Sequence, residues 1–98
     1  MPKRTFELDG TRFDTLEGFY DEVSRVLIPR AKWGRNHDAF NDILRGGFGT
    51  PAGGFVLRWT HSARSRRRLP RFNTIIEIIR THGEGGREAA DGVDLQLT

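Results

Sequence analysis

The residue pattern of this chain predicts an α/β fold: a three-stranded parallel sheet in the order 1-2-3, with helices packed mainly on one face. Three observations carry that expectation. Two short stretches alternate apolar and polar residues, Thr5-Phe6-Glu7-Leu8 near the start and Val93-Asp94-Leu95-Gln96-Leu97 near the end. Between them Phe55-Val56-Leu57 runs apolar without a break into Arg58-Trp59, as a strand covered on both faces does. Apolar residues at helical spacing fill the intervals, and helical crossovers between strands imply parallel pairing with right-handed connections.

The first strand stops at Asp9-Gly10, with Phe6 and Leu8 facing inward. Asp14 is placed to cap the helix that follows, and Glu17, three residues on, is the reciprocal member of a capping box. Leu16, Phe19, Val23, Val26 and Leu27 form the buried stripe of that helix, and Pro29 ends it by pushing the preceding residue out of the α region. Asn36 is a good N-cap for a second helix. Its inner face is Phe40, Ile43 and Leu44, leaving Asp38, Asn41, Asp42 and Arg45 outside, and Gly46 and Gly47 stop it. The stretch GGFGTPAGG is a loop leading into the central strand. TIIEIIRT is β-branched, yet Ile75, Ile76, Ile78 and Ile79 repeat as a helical stripe, capped by Asn73 and closed by Gly83. After the glycine-rich GEGGREAADG comes the last strand, with one wet face.

At 98 residues the chain suits one domain over 1–98 that buries roughly 60–65% of its unfolded surface. It contains no cysteine, so neither disulfides nor thiolate metal sites staple it, and a reducing cytoplasm fits that composition. MPKRTFELDG has no apolar signal region, and nowhere do 18 apolar residues run together, so the chain reads as neither exported nor membrane-spanning. The formal charge of +3 is a mild preference for acidic partners. Arginine outnumbers lysine 14 to 2, a bias that a GC-rich genome produces as readily as a need for guanidinium chemistry.

His37, His61 and His82 are scattered, only His37 lies near carboxylates, and no nucleophile, base and orienting group assemble, so the chain is not read as an enzyme. Histidines of this kind are usually surface residues. His37, Asp38 and Asp42 do not make a metal site, because adjacent helical positions point in different directions, and no cofactor is expected. The glycine loop lacks the Gly-Lys-Ser/Thr ending of a phosphate cradle and precedes a strand where such a cradle precedes a helix. Arg64, Arg66, Arg67, Arg68 and Arg71 are the strongest charge feature: a solvated segment, or a surface for nucleic acid or an acidic protein. No aromatic residue interleaves them, which argues against base stacking. Asp38 and Asp42 lie one turn apart, where like charges cost a helix roughly 0.2–0.5 kcal/mol. The helix dipole favours Asp38 in the first turn, and Asp42 can pair with Arg45 at i,i+3.

The stretch Trp33-Gly34-Arg35-Asn36-His37-Asp38-Ala39, followed by Asp42 and Leu44, resembles the signature of the barstar family of bacterial ribonuclease inhibitors. The likeness extends to the order of elements and covers nearly the whole chain, and the fold read from the pattern is also that of the family. The resemblance implies a cytoplasmic inhibitor whose second helix and preceding turn plug the active-site cleft of a small secreted, guanyl-preferring ribonuclease in a 1:1 complex. It implies that Asp42 enters the phosphate-binding pocket and Asp38 meets cleft arginines. Gly34 and Asn36 shape the turn, His37 and Asn41 touch the rim, and Gly46 and Gly47 lie at its edge; Trp33, Arg35 and Arg45 complete the contact set. Lys32 departs from the family pattern where an aromatic that stacks on the catalytic histidine is common, so either Trp33 takes over or that contact is missing. Asn41 stands where tryptophan is common, Thr81 where an acid is expected, and the basic overall charge points to an acidic target enzyme, with the arginines of 64–71 assisting encounter. A nucleic-acid-binding module acting through that segment is the alternative reading.

Overall fold

The computed structural model describes residues 3–30, 32–46, 48–51 and 54–98. Gly47, expected to help stop the second helix and border the site, lies outside the described residues, as does part of the loop before the central strand.

Strand β1 (Thr5–Asp9) leads to helix α1 (Leu16–Leu27), α2 (His37–Leu44) and the central strand β2 (Val56–Thr60). Helices α3 (Ser62–Arg68) and α4 (Phe72–Thr81), a short 3-10 turn at Ala89–Asp91 and strand β3 (Asp94–Leu97) complete the order. The three strands pair in parallel as β1-β2-β3. Register sets Phe6 beside Leu57 and Leu8 beside Trp59, and these in turn beside Leu95 and Leu97. That face is the floor of the core. On the other face Arg58 donates to Glu7 Oε1 (3.2 Å) and Gln96 Oε1 (3.1 Å), a polar rung across all three strands. The strand expected to be covered on both sides is therefore covered on one: Leu57 and Trp59 are buried, whereas Val56, Arg58 and Thr60 are half-buried. Among the described residues the buried face of the strand is the one that carries Phe55, Leu57 and Trp59, so its unbroken apolar start reports the half-buried Val56 between core residues.

Trp59 is the hub of the core. Phe19 of α1 stacks on it at 5.3 Å, Phe13 and Phe72 meet its edges, and Phe40 of α2 packs edge-on against Phe19 at 5.4 Å. These contacts connect the sheet to α2 through two aromatic rings. No buried side-chain nitrogen or oxygen lacks a hydrogen-bond partner among the described residues.

Helix boundaries depart from expectation where another group takes the capping residue. At α1 the cap is Thr15, whose Oγ1 accepts from Gly18 N at 3.0 Å, in place of Asp14. Asp14 is held by Arg64 at 2.8 Å. Ile28 leaves the helix ahead of Pro29 as expected. Helix α4 begins a residue earlier than Asn73, after Arg71 in a left-handed conformation (φ 61°) with no side-chain cap, and His82 occupies its C-cap ahead of Gly83. Helix α3 has no apolar stripe and was not anticipated. It is fixed from outside: Trp59 Nε1 donates to the buried Ser65 Oγ (3.0 Å), and Arg64 Nη1 donates to Gly10 O (2.8 Å). Gly54 (φ 100°) brings two loops together, since a Cβ there would lie 2.1 Å from Gly92 O.

Candidate partner-binding site

The residues expected to make contact fall on one turn and one helix. Asn36 caps α2 as anticipated, with its Oδ1 accepting from Ala39 N at 2.8 Å. Phe40, Ile43 and Leu44 are 0%, 0% and 1% exposed, so the inner face of this eight-residue helix is locked into the core. Asp38 and Asp42 project from the opposite side into solvent.

Most of the preceding turn is tied down on α1. Trp33 is half-buried, its Nε1 donating to Ser24 Oγ at 2.7 Å and its ring edge-on to Tyr20 at 5.3 Å. Arg35 sits in the left-handed region (φ 54°), which strains a side-chain-bearing residue, and its guanidinium donates to Asp21 Oδ1 (2.6 Å) and Glu17 O (3.2 Å). The charge of Arg35 is thus turned back onto α1. His37 Nδ1 lies 3.1 Å from the Tyr20 hydroxyl, and burial pushes the Tyr20 phenol above its ordinary range, keeping it protonated. Gly34 is exposed, and a Cβ on it would press to 3.2 Å from Asn36 Nδ2 and 3.3 Å from the Ala39 methyl, against the capping arrangement.

The C-terminal half of α2 is wired to the segment that follows α4. Arg45 Nε and Nη2 donate to the two carboxylate oxygens of Glu88, each at 3.0 Å, while Nη1 reaches Asp42 at 3.2 Å. The hydrogen bond to Glu88, more than that to Asp42, raises the Arg45 guanidinium above its ordinary range. Asp42 does pair with Arg45 at i,i+3, but shares that guanidinium with a better-matched partner. Asn41 was expected on the outer face and is half-buried instead: its Nδ2 donates to His37 O (3.2 Å), and its Oδ1 faces His82 Nε2 (2.8 Å). A buried imidazole at that distance is a stronger draw for the amide than solvent. Gly46 follows the helix with φ 96°. Between α2 and α4 runs a groove lined by Asn41, Arg45, Thr74, Glu77, Ile78 and Thr81.

His82 is the residue that sequence reasoning missed. It is fully buried, where a surface position was expected. The signal was present, because Ile75, Ile79 and His82 continue one helical stripe by steps of four and three. His82, Glu88 and Asp91 are also the one group among the described residues whose potential metal-ligand atoms converge, within 4.8 Å. The 2.7 Å separation of His82 Nδ1 and Asp91 Oδ2 is that of a hydrogen bond, and Glu88 is already engaged by Arg45.

The basic cluster divides. Arg64 is a structural donor to Gly10, Phe13 and Asp14, Arg66 lies over the Phe72 ring, and Arg68 approaches Asp14 at 3.8 Å, while Arg67 and Arg71 are exposed. No helix among the described residues is long and apolar enough to cross a membrane.

The family model described as Barstar (barnase inhibitor) matches residues 3–98. A search of curated proteins finds no match to this chain.

Proposed function

The chain belongs to the barstar family, whose described activity is inhibition of the ribonuclease barnase, and from that premise we propose that residues 1–98 act as one unit, a cytoplasmic inhibitor of a small secreted, guanyl-preferring bacterial ribonuclease. The observation that supports this most directly is the geometry of α2. Two exposed carboxylates, Asp38 and Asp42, stand one turn apart on a helix whose other face is fixed in the core. A ribonuclease concentrates cations where the phosphate of its substrate binds. A carboxylate carried there on a rigid support meets preorganised guanidiniums in a desolvated setting, where charge-assisted hydrogen bonds are strongest. In this reading Asp42 occupies the phosphate pocket and Asp38 meets arginines beside it.

Gly34, Asn36 and His37 present the turn, and Gly46 borders the far end. Trp33 and Arg35 contribute what their packing on α1 leaves accessible, and Asn41 and Arg45 act from the groove side of α2. The inhibitor performs no chemistry and calls for no metal or cofactor; it excludes RNA by occupying its place.

Titration into a panel of such ribonucleases, barnase included, with RNA cleavage as the readout, is the test. Stoichiometric loss of activity is expected, and Asp42→Ala raises the dissociation constant at least about tenfold, or 1.4 kcal/mol. Undiminished cleavage across the panel, or an Asp42→Ala protein that inhibits as well as the parent, refutes the reading. Exposure of Arg67 and Arg71 keeps a second reading, RNA binding by the 64–71 segment. A mobility shift with RNA alone, abolished by substituting those arginines, would select it.

A further inference from the structure

Strand β3 has β2 on one side and no strand on the other. Asp94 N donates to Phe55 O and Thr98 N to Trp59 O, so residues 94, 96 and 98 turn their main-chain groups toward β2. Because a strand alternates, Leu95 and Leu97 turn theirs outward, where they meet no partner among the described residues. Proteins blunt such edges with charge, proline or a covering segment. The opposite edge of this sheet is treated that way: the outward Asp9 N–H of β1 is taken by Glu22 Oε2 at 2.8 Å. Strand β3 has no such cover. Its one charge, Asp94, is answered by Lys3 Nζ at 3.1 Å, and Leu95 and Leu97 are half-buried apolar side chains.

Beside this edge a groove runs along α4, and Glu77, Arg80, Glu84 and Arg87 line it. The two signs are equal in number, and none of the four is in an ion pair among the described residues, whereas Asp94 in the same groove is held by Lys3. An acidic or a basic partner would call for one sign to predominate. A surface that meets its own image has to be complementary to itself, with both signs on one patch.

We infer that β3 pairs antiparallel with β3 of a second copy of this chain, joining two three-stranded sheets across a two-fold axis. The free groups fix the register. Leu95 lies opposite the partner's Leu97 and Leu97 opposite the partner's Leu95, each pair exchanging both N–H···O bonds, so every outward group of the strand is used. A register centred on Leu95 would instead engage Val93, whose N–H is already given to His82 O. On the helix side of the joined sheet the leucines cover one another, and the α4 flanks face each other with arginine available to glutamate. On the polar side Gln96 meets its own copy on the axis; its Oε1 accepts from Arg58, which leaves the amide N–H groups for the partner's Gln96. Asp94 falls opposite the partner's Thr98, so no like charges oppose each other along the strand. The pairing does not depend on the function proposed above.

Sedimentation velocity of the free protein between about 5 and 500 µM is the first test, a range suited to a small, reversible interface. The mass rises with concentration from 11.2 kDa toward twice that value. Gln96→Glu gives each monomer a carboxylate beside Arg58 but sets two carboxylates against each other on the axis, and weakens the dimer about fivefold. Gln96→Cys introduces the sole thiol of a cysteine-free chain. Opposed residues of a non-hydrogen-bonded antiparallel pair have Cα atoms about 4.5 Å apart, within disulfide reach, so under mild oxidation this variant cross-links at least about tenfold faster than Glu7→Cys, a likewise exposed position on β1. A mass of 11.2 kDa at every concentration overturns the inference. So does a dimer indifferent to Gln96→Glu, which belongs to another surface, or equal cross-linking of the two cysteine variants. A chain that stays monomeric while Gln96→Glu weakens ribonuclease inhibition assigns the edge to the ribonuclease and overturns the second copy. Should Gln96→Glu fail to fold, the cysteine pair decides.

Discussion

Glu22 is a charge placed in the core by a helix that the pattern presents as simply amphipathic. It is 3% exposed, accepts from Asp9 N at 2.8 Å, and is bracketed by Arg25 (2.9 Å) and Arg12 (3.3 Å). Both arginines remain half in solvent, so the cost of losing the acid falls chiefly on the stranded Asp9 N–H and the lost charge-assisted bonds. Glu22→Ala is expected to cost about 2 kcal/mol and Glu22→Gln, which still accepts from Asp9, about half that, measured by urea unfolding. Asp9 provides a pH signature at the same corner. Hydrogen bonds from Thr11, its hydroxyl first and then its N–H, hold the Asp9 carboxyl below its ordinary 3.8. A carboxyl lowered in the folded state contributes stability that is present above the unfolded value and lost as pH falls through the folded one. The slope of stability against pH below about 4 should therefore flatten in Asp9→Asn, and an unchanged slope would place the acid sensitivity elsewhere. At this scale the sequence revealed the surface and concealed the interior polar groups. Asp38 and Asp42 are legible because amphipathic spacing alone puts them outside, and His82 was legible as the continuation of the Ile75–Ile79 stripe, whereas the buried Glu22 and the half-buried Asn41 are drawn in by partners 13 and 41 positions away, which no local pattern encodes.

Element by element, agreement follows how local the cause is. Helix α2 and its Asn36 cap follow from an apolar stripe and a side chain three residues apart. The three strands and their order follow from alternation and crossover geometry. Helix α3 could not be read that way, since its residues SARSRRR carry no stripe, and it exists because Trp59 and Gly10 supply partners for Ser65 and Arg64. The cap of α4 shifted for a related reason: Phe72 is drawn onto Trp59 at 5.2 Å, which starts the helix before Asn73 can serve. Two substitutions separate the stiffness of α2 from its chemistry. Phe40→Ala opens a hole beside Phe19 and should cost about 3–5 kcal/mol of stability. Asn36→Ala removes only the cap, costs about 1 kcal/mol, and should weaken ribonuclease inhibition by speeding dissociation, because the first turn carrying Asp38 frays. Equal dissociation rates for Asn36→Ala and the parent, measured by surface plasmon resonance, would mean that the capped turn contributes no rigidity to binding.

For the whole molecule, the question is how a chain of net charge +3 would present the proposed binding site, which is built on carboxylates. The two signs are carried by different elements: Asp38 and Asp42 stand on α2, and the exposed Arg67 and Arg71 belong to the 64–71 segment. An exposed charge set apart from a contact surface does little for a formed complex and acts on the encounter, through a field that salt screens within about 8 Å at physiological ionic strength. If the target ribonuclease is acidic overall, as the charge of this inhibitor implies, these arginines draw it in while the acids of α2 engage the cleft cations at close range. Replacing Arg67 and Arg71 together by glutamine should then lower the association rate about threefold or more at low salt, leave the dissociation rate unchanged, and lose its effect near 1 M salt. Stopped-flow mixing with the ribonuclease across a salt series measures this. A variant whose association rate matches the parent at every salt concentration would show that the arginines play no part in encounter. A faster association at low salt would reverse the sign and identify a basic target, for which this segment is a repulsive surface that the carboxylates of α2 must overcome.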